Sequence, residues 1–214
     1  TGTGGRVRTR PEYGRHGRRP YDRPVELVAR ELVGAVVVSR VGGVLTAGRI
    51  VETEAYLGRD DPASHAFGGR RNAHNASLYG PPGTWYVYRS YGMHWCANLV
   101  CGPHGLGAAV LLRALEPLEG LDVMRERRGV ADARLLCAGP GRLCQALGIT
   151  RDLDGVLDGA GPVTIEYPAR RTRAGIVVTP RIGITKAADW PLRFVLEDSK
   201  WASRPGRSDA TPSR

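Results

Sequence analysis

Apolar residues in this chain arrive in short, strand-length instalments punctuated by glycine, and that pattern limits the fold more than any other feature. Apolar runs such as residues 34–38 are only strand-sized, far short of the ~18–20 residues a membrane-crossing helix needs. Residues 35–41, the pair Gly42-Gly43 and residues 44–56 read as a β-hairpin with a two-glycine turn. Residues 84–100, rich in aromatic and β-branched side chains and broken at Tyr91-Gly92, read as a second. A buried strand follows at 108–115, with later strands at 163–165, 176–178 and 193–196. Helices are few. Pro24 followed by Val25, Val28, Ala29 and Leu32 has helix-start chemistry and a 3.6-residue apolar stripe. Residues 118–128 and 140–147, the latter with Pro140 in its first turn, suggest two more. Hairpins with few helices between them predict a mixed α+β domain on a largely antiparallel sheet, not a doubly wound one.

Size and composition fit one such domain. The 214 residues are 42% apolar and 24% charged, an ordinary globular mixture able to bury a core. No linker or repeat divides residues 21–202. Residues 1–20, with six arginines and no periodicity, are expected to be a disordered basic arm, and residues 203–214 a flexible tail. The net charge is +10, and only Lys186 and Lys200 among the 31 basic residues are lysines. Arginine is the fork-shaped partner of phosphate, so a polyanion is one reading of the charge; an arginine-biased composition with solvated tails is the other. The four cysteines (Cys96, Cys101, Cys137, Cys144) make no C-x2-C pair, and no hydrophobic leader is present, so reduced thiols in the cytoplasm are expected. The five histidines lack metal-ligand spacing, and neither metal nor cofactor is expected.

Two glycine-rich stretches resemble phosphate loops superficially. Gly80-Pro81-Pro82-Gly83-Thr84 lacks the following Gly-Lys-Ser/Thr, and the 102–107 stretch lacks G-x-G-x-x-G order, so both are loops. The segment from Arg49 to Gly58 is more informative. Residues two apart on a strand share a face, so Glu52, Glu54 and Tyr56 point the same way. Two carboxylates on one face repel, and nothing in the strand neutralises them. Either the strand faces solvent, or a carboxylate base stands beside an aromatic platform. His65 follows across a loop containing Asp60, Asp61 and Pro62. On the second hairpin Tyr86 and Tyr88 share a face, while Tyr91 sits at the tip beside Gly92. A ring there either folds back through its hydroxyl or serves as a wedge between stacked bases. Asn98, among apolar neighbours, must find hydrogen-bond partners if buried; it reads as a base-edge contact or an orienter of the carboxylate.

Taken together, the segments GRIVETEAYLG, DDPASHAFGGR, PPGTWYVYRSYGMHWCANLV, VLLRALEPLEGLDVMRERR and LCAGPGRLCQALGI resemble the alkyladenine (3-methyladenine) DNA glycosylase family. The likeness runs from about residue 25 to 200, with the motifs in order. It implies a single domain with a curved, mostly antiparallel sheet and flanking helices. It also implies excision of alkylated purines from double-stranded DNA; a monomer without a membrane is expected, since a reader of isolated lesions needs no two-fold symmetry. By that resemblance Glu54 activates the attacking water, and Tyr56, His65 and Tyr88 sandwich the extruded base. Tyr91 fills the gap in the duplex, Asn98 lines the pocket against bases with an extra exocyclic group, and Arg113 lies near the water and a phosphate. The chain departs from the family pattern at Asn72, His74 and Asn75, where Thr-x-x-Arg-Asn is common, and at His94, where some members carry tyrosine.

The chemistry suits those roles. A base inside stacked DNA must rotate out, at a few kcal/mol, before its glycosidic bond is reached. Alkylation at N3 or N7 makes the purine cationic, which tyrosine faces attract by ~0.5–2 kcal/mol. A carboxylate beside the oxocarbenium-like sugar both stabilises it and deprotonates water. Lys186 and Lys200 lie outside every motif, so no amine is placed for a Schiff base, and simple hydrolysis to an abasic site is expected. The alternative is a non-catalytic damaged-DNA-binding module of the same fold. The enzymatic reading requires the Glu54 carboxylate at the mouth of an aromatic pocket, with room for solvent.

Overall fold

In the computed structural model, residues 21–168 and 175–204 are described; the basic arm and most of the expected tail lie outside them. The order is α1 (Val25–Leu32), β1 (Val36–Ser39), β2 (Thr46–Tyr56), β3 (Trp85–Ser90), β4 (His94–Cys101), β5 (Ala108–Glu119), α2 (Leu121–Arg128), α3 (Pro140–Leu147), β6 (Val163–Glu166), β7 (Ile176–Thr179) and β8 (Arg193–Leu196). The strands form one sheet in the order β3-β4-β5-β2-β1-β6, with β8 pairing both β2 and β7. Every named pair is antiparallel, so the architecture is α+β as expected. Among the described residues no helix is long and apolar enough to cross a membrane.

Strand parity sorts the sheet into two faces. Trp85 and Val87 on β3, Ala97 and Leu99 on β4, and Val110 and Leu112 on β5 enter the main core with α1 and α3 residues such as Leu32, Leu143 and Leu147. The alternate residues Tyr86, Val100 and Ala109 belong to a second cluster on the opposite face, with Ala66, Leu78 and Tyr79. Helices cover one face, and a long loop after β2 covers part of the other.

Three register shifts disturb the β2–β5 pairing, and two of them flank Glu52. Ile50 pairs with Leu115 and Glu52 with Ala114, then Thr53 with Leu112, so Val51 and Arg113 are each left without an opposite residue. A bulge re-aims the side chains around it. Ile50 therefore enters the core although plain alternation would place it beside Glu52 and Glu54. Thr53 faces α1, where its hydroxyl donates to the Ala29 carbonyl at 2.9 Å. Glu52, Glu54 and Tyr56 share the face away from the helices.

Candidate active site

Glu52 and Glu54 are both fully buried, which removes the solvent-facing reading of β2. Their repulsion is offset from neighbouring strands. Arg113, at its bulge on β5, donates from Nε to Glu52 Oε1 at 3.1 Å and from Nη1 to Glu54 Oε2 at 3.3 Å. Arg193 on β8 donates to Glu52 at 2.7 Å, and the Ser203 amide and hydroxyl add bonds of 2.6 and 2.8 Å. Ser203, where a tail was expected to begin, is thus bonded into the buried layer.

Glu54 is held differently. Its Oε1 accepts from the Ile182 amide at 2.7 Å, and Oε2 accepts from the Tyr56 hydroxyl at 3.0 Å. The Ile182 carbonyl accepts from Arg113 Nη1 at 3.5 Å. Burial pushes the Glu54 carboxyl above its ordinary range, with Glu52 adding to the rise; Arg113, the Ile182 amide and the Tyr56 hydroxyl oppose it without cancelling it. The expectation of a solvent-open carboxylate is therefore corrected: it is enclosed and ion-paired. A carboxylate offers about four acceptor positions, and protein donors occupy three here, which leaves capacity for a water hydrogen.

The rings gather across the sheet from this acid. Tyr86 and Tyr88 stack, with centroids 5.4 Å apart. His65 meets Tyr88 edge-on at 4.5 Å, and its Nδ1 lies 2.6 Å from the Tyr86 hydroxyl. Burial, then the nearby Arg70, lowers the His65 pKa, so the ring is neutral at pH 7. Its loop is stiffened by Asn75, whose amide donates to the carbonyls of His65 and Arg70 at 3.1 and 3.0 Å. Tyr86, Asn98, Leu111 and Glu54 are cross-strand neighbours in turn. Tyr86 and Glu54 are thereby about three strand spacings apart, ~14 Å between backbones, with Tyr56 on the acid's side, its hydroxyl bonded to Glu54 at 3.0 Å.

Asn98 is 4% exposed and gives its amide to the Tyr86 carbonyl at 3.0 Å and the Cys96 carbonyl at 3.5 Å. It does not touch Glu54, so the carboxylate-orienting reading is corrected. Tyr91 is 86% exposed. It and Gly92 have φ of 49° and 67°, and Met93 N bonds back to Ser90 O at 3.0 Å, a tight turn that presents the ring outward rather than folding it back.

Sequence reasoning overlooked Arg181 and Ile182. Arg181 is wholly buried, bonded to Asp61 through both Nη atoms at 2.5 and 2.9 Å, and packed 4.6 Å from the Tyr56 ring centroid. Its partners lie over a hundred positions away in sequence, where no local spacing could show them.

The sequence profile of the methylpurine-DNA glycosylase family matches residues 19–200. The chain belongs to this family. It is 54% identical over 180 residues to a protein of Nitrosospira multiformis, covering 84% of this chain and 89% of that one. It is 52% identical over 185 residues to one of Rhodopseudomonas palustris, covering 86% of each. With a Methanoculleus marisnigri protein it shares 51% over 187 residues, covering 86% of this chain and 96% of the other. All three are provisionally named 3-methyladenine DNA glycosylases.

Proposed function

We propose that this family member is a monofunctional DNA glycosylase that extrudes alkylated purines of the 3-methyladenine and 7-methylguanine type from duplex DNA and hydrolyses the N-glycosidic bond. One observation carries the reading. A buried carboxylate with a raised pKa, Glu54, shares a sheet face with the His65–Tyr86–Tyr88 cluster, while a wedge-shaped ring, Tyr91, stands at the tip of the hairpin that carries those tyrosines. The alkylated base stacks against Tyr56 on one side and His65 with Tyr88 on the other. A neutral His65 sits beside that cation without repelling it. Asn98, its amide nitrogen already committed, meets the base edge. Tyr91 holds the emptied stack open.

In the chemical step the C1′–N bond breaks and its electron pair leaves with the purine, cancelling the base's positive charge. Water adds to C1′, and its proton passes to Glu54. A carboxylate destabilised by burial is a stronger base than one in water, which suits that transfer. Arg113, bridging Glu52 and Glu54, holds the acid in place, and the Ile182 carbonyl is a second acceptor for the water. The site residues all come from one chain, which supports action as a monomer. The four thiols are free and buried, as in a reducing compartment such as the cytoplasm.

The test is to incubate purified protein with methylated DNA and separate released bases by chromatography. Release of 3-methyladenine or 7-methylguanine, lost in Glu54→Gln with lesion binding retained, supports the reading. Binding without release by the unaltered protein leaves the non-catalytic module.

A further inference from the structure

Tyr56 has one face covered already. Arg181 stacks on it at 4.6 Å, so only the opposite face is free for a base. This arrangement is unexpected for a ring that stacks on a cation. Taking a base ~4.5 Å beyond the ring, a positively charged purine would lie about 9 Å from the guanidinium. At an effective dielectric near 20, two like charges at that distance cost about twentyfold in affinity. Asp61 is the answer the fold supplies. It grips both Nη atoms of Arg181 at 2.5 and 2.9 Å, and both side chains are wholly buried. The Ala55 carbonyl takes a third bond at 3.0 Å, and Trp190 lies 6.0 Å from the guanidinium.

We propose that Asp61 is a specificity-determining positioning residue acting through Arg181: it neutralises the cation behind Tyr56 so that the tyrosine's free face accepts positively charged purines. The inference rests on the reading above, in which Tyr56 is one wall of the base site. It goes further by assigning charge selectivity to a pair that never touches the base. Arg181 supplies rigidity, fixing the ring and the neighbouring Ile182; Asp61 removes the electrostatic penalty of that rigidity.

The experiment uses full-length protein and two duplexes, one with a single 7-methylguanine and one with an uncharged tetrahydrofuran abasic analogue. Half-saturation in single-turnover excision of the first is compared with the dissociation constant for the second. Asp61→Asn, which unmasks the cation, should weaken 7-methylguanine half-saturation by about twentyfold and shift abasic-analogue binding by about twofold at most. Arg181→Met, which leaves the negative charge, should move the ratio the opposite way. The double variant, neutral again, should return the ratio to within about threefold of the parent, whatever it does to melting temperature. A purely structural role predicts equal losses on both duplexes, with no recovery in the double variant, and that result overturns the proposal. If Asp61→Asn does not fold, an unchanged ratio in Arg181→Met overturns it as well. Unaltered protein that neither binds nor excises 7-methylguanine above undamaged duplex sinks the glycosylase reading instead, and this inference with it.

Discussion

Replacing Glu54 with glutamine should separate activity from stability in opposite directions. The folded state raises the Glu54 pKa because desolvation exceeds the help from Arg113, the Ile182 amide and the Tyr56 hydroxyl. A carboxyl whose folded pKa lies above its unfolded one binds its proton more tightly when folded. Its ionisation at neutral pH therefore costs stability, and the cost disappears as pH falls through the folded pKa. Each unit of such a shift is worth ~1.4 kcal/mol, and ~1 kcal/mol moves the melting temperature of a chain this size by about 2–4 °C. Glutamine keeps the shape and an acceptor for the Ile182 amide while removing the buried charge; Arg113 retains Glu52. Glu54→Gln should thus melt at or above the parent temperature at pH 7. That advantage should shrink as pH approaches the ordinary carboxylate range near ~4. Excision should fall at least ~100-fold, the usual scale for losing a positioned base. Thermal melts followed by circular dichroism at several pH values, with single-turnover base release, measure both. A variant that melts several degrees lower at pH 7 yet excises normally would show Glu54 to be a structural ion-pair partner, and the reasoning would fail.

Three further outcomes follow from other parts of the site. Tyr91→Gly should melt no lower than the parent, since Tyr91 is 86% exposed at φ 49° and glycine relieves about 1 kcal/mol of left-handed strain; lesion-duplex affinity measured by fluorescence anisotropy should still drop at least about tenfold. His65 has a lowered pKa through burial and Arg70, so 7-methylguanine excision should decline only as pH falls below the ordinary imidazole range, when the ring gains a charge beside a cationic base; His65→Phe should flatten that limb of the pH–rate profile. Gly107→Ala should lower stability by ~2–4 kcal/mol in chemical denaturation, because a Cβ there, at φ +75°, would lie 2.7 Å from Ala66 Cβ and 2.8 Å from Tyr79 Cε1. The loop bearing His65 rests on that contact.

Wherever the signal was local, the sequence was readable. Helix α3 begins at Pro140 and ends at Leu147 as the pattern indicates, and the Tyr91-Gly92 turn stands between β3 and β4. The shared face of Glu52, Glu54 and Tyr56 follows from parity alone. What escaped was long-range. The bulges at Val51 and Arg113 need the β2–β5 register, which neither strand encodes by itself. Burial of the two glutamates needs arginines from β5 and β8. Arg181 sits in a stretch with no motif, and only the folded chain brings it beneath Tyr56. Side chains that neutralise one another across a fold are invisible until the fold exists.

Strand β3 ends the sheet, and its outer rim is capped. The Trp85 amide bonds to the Val156 carbonyl, the Gly155 amide to the Trp85 carbonyl, each at 2.8 Å, and the Val87 amide to the Asp154 carboxylate at 2.9 Å. Asp154 is itself anchored by the Ser77 hydroxyl at 2.6 Å. A bare rim invites pairing with a foreign strand; here that hazard is closed off where the aromatic residues begin. The capping runs out beyond Val87, short of the turn at Tyr91-Gly92. A rim held at its root keeps the stacked Tyr86 and Tyr88 in shape, while the exposed ring of Tyr91 stands beyond the last rim contact.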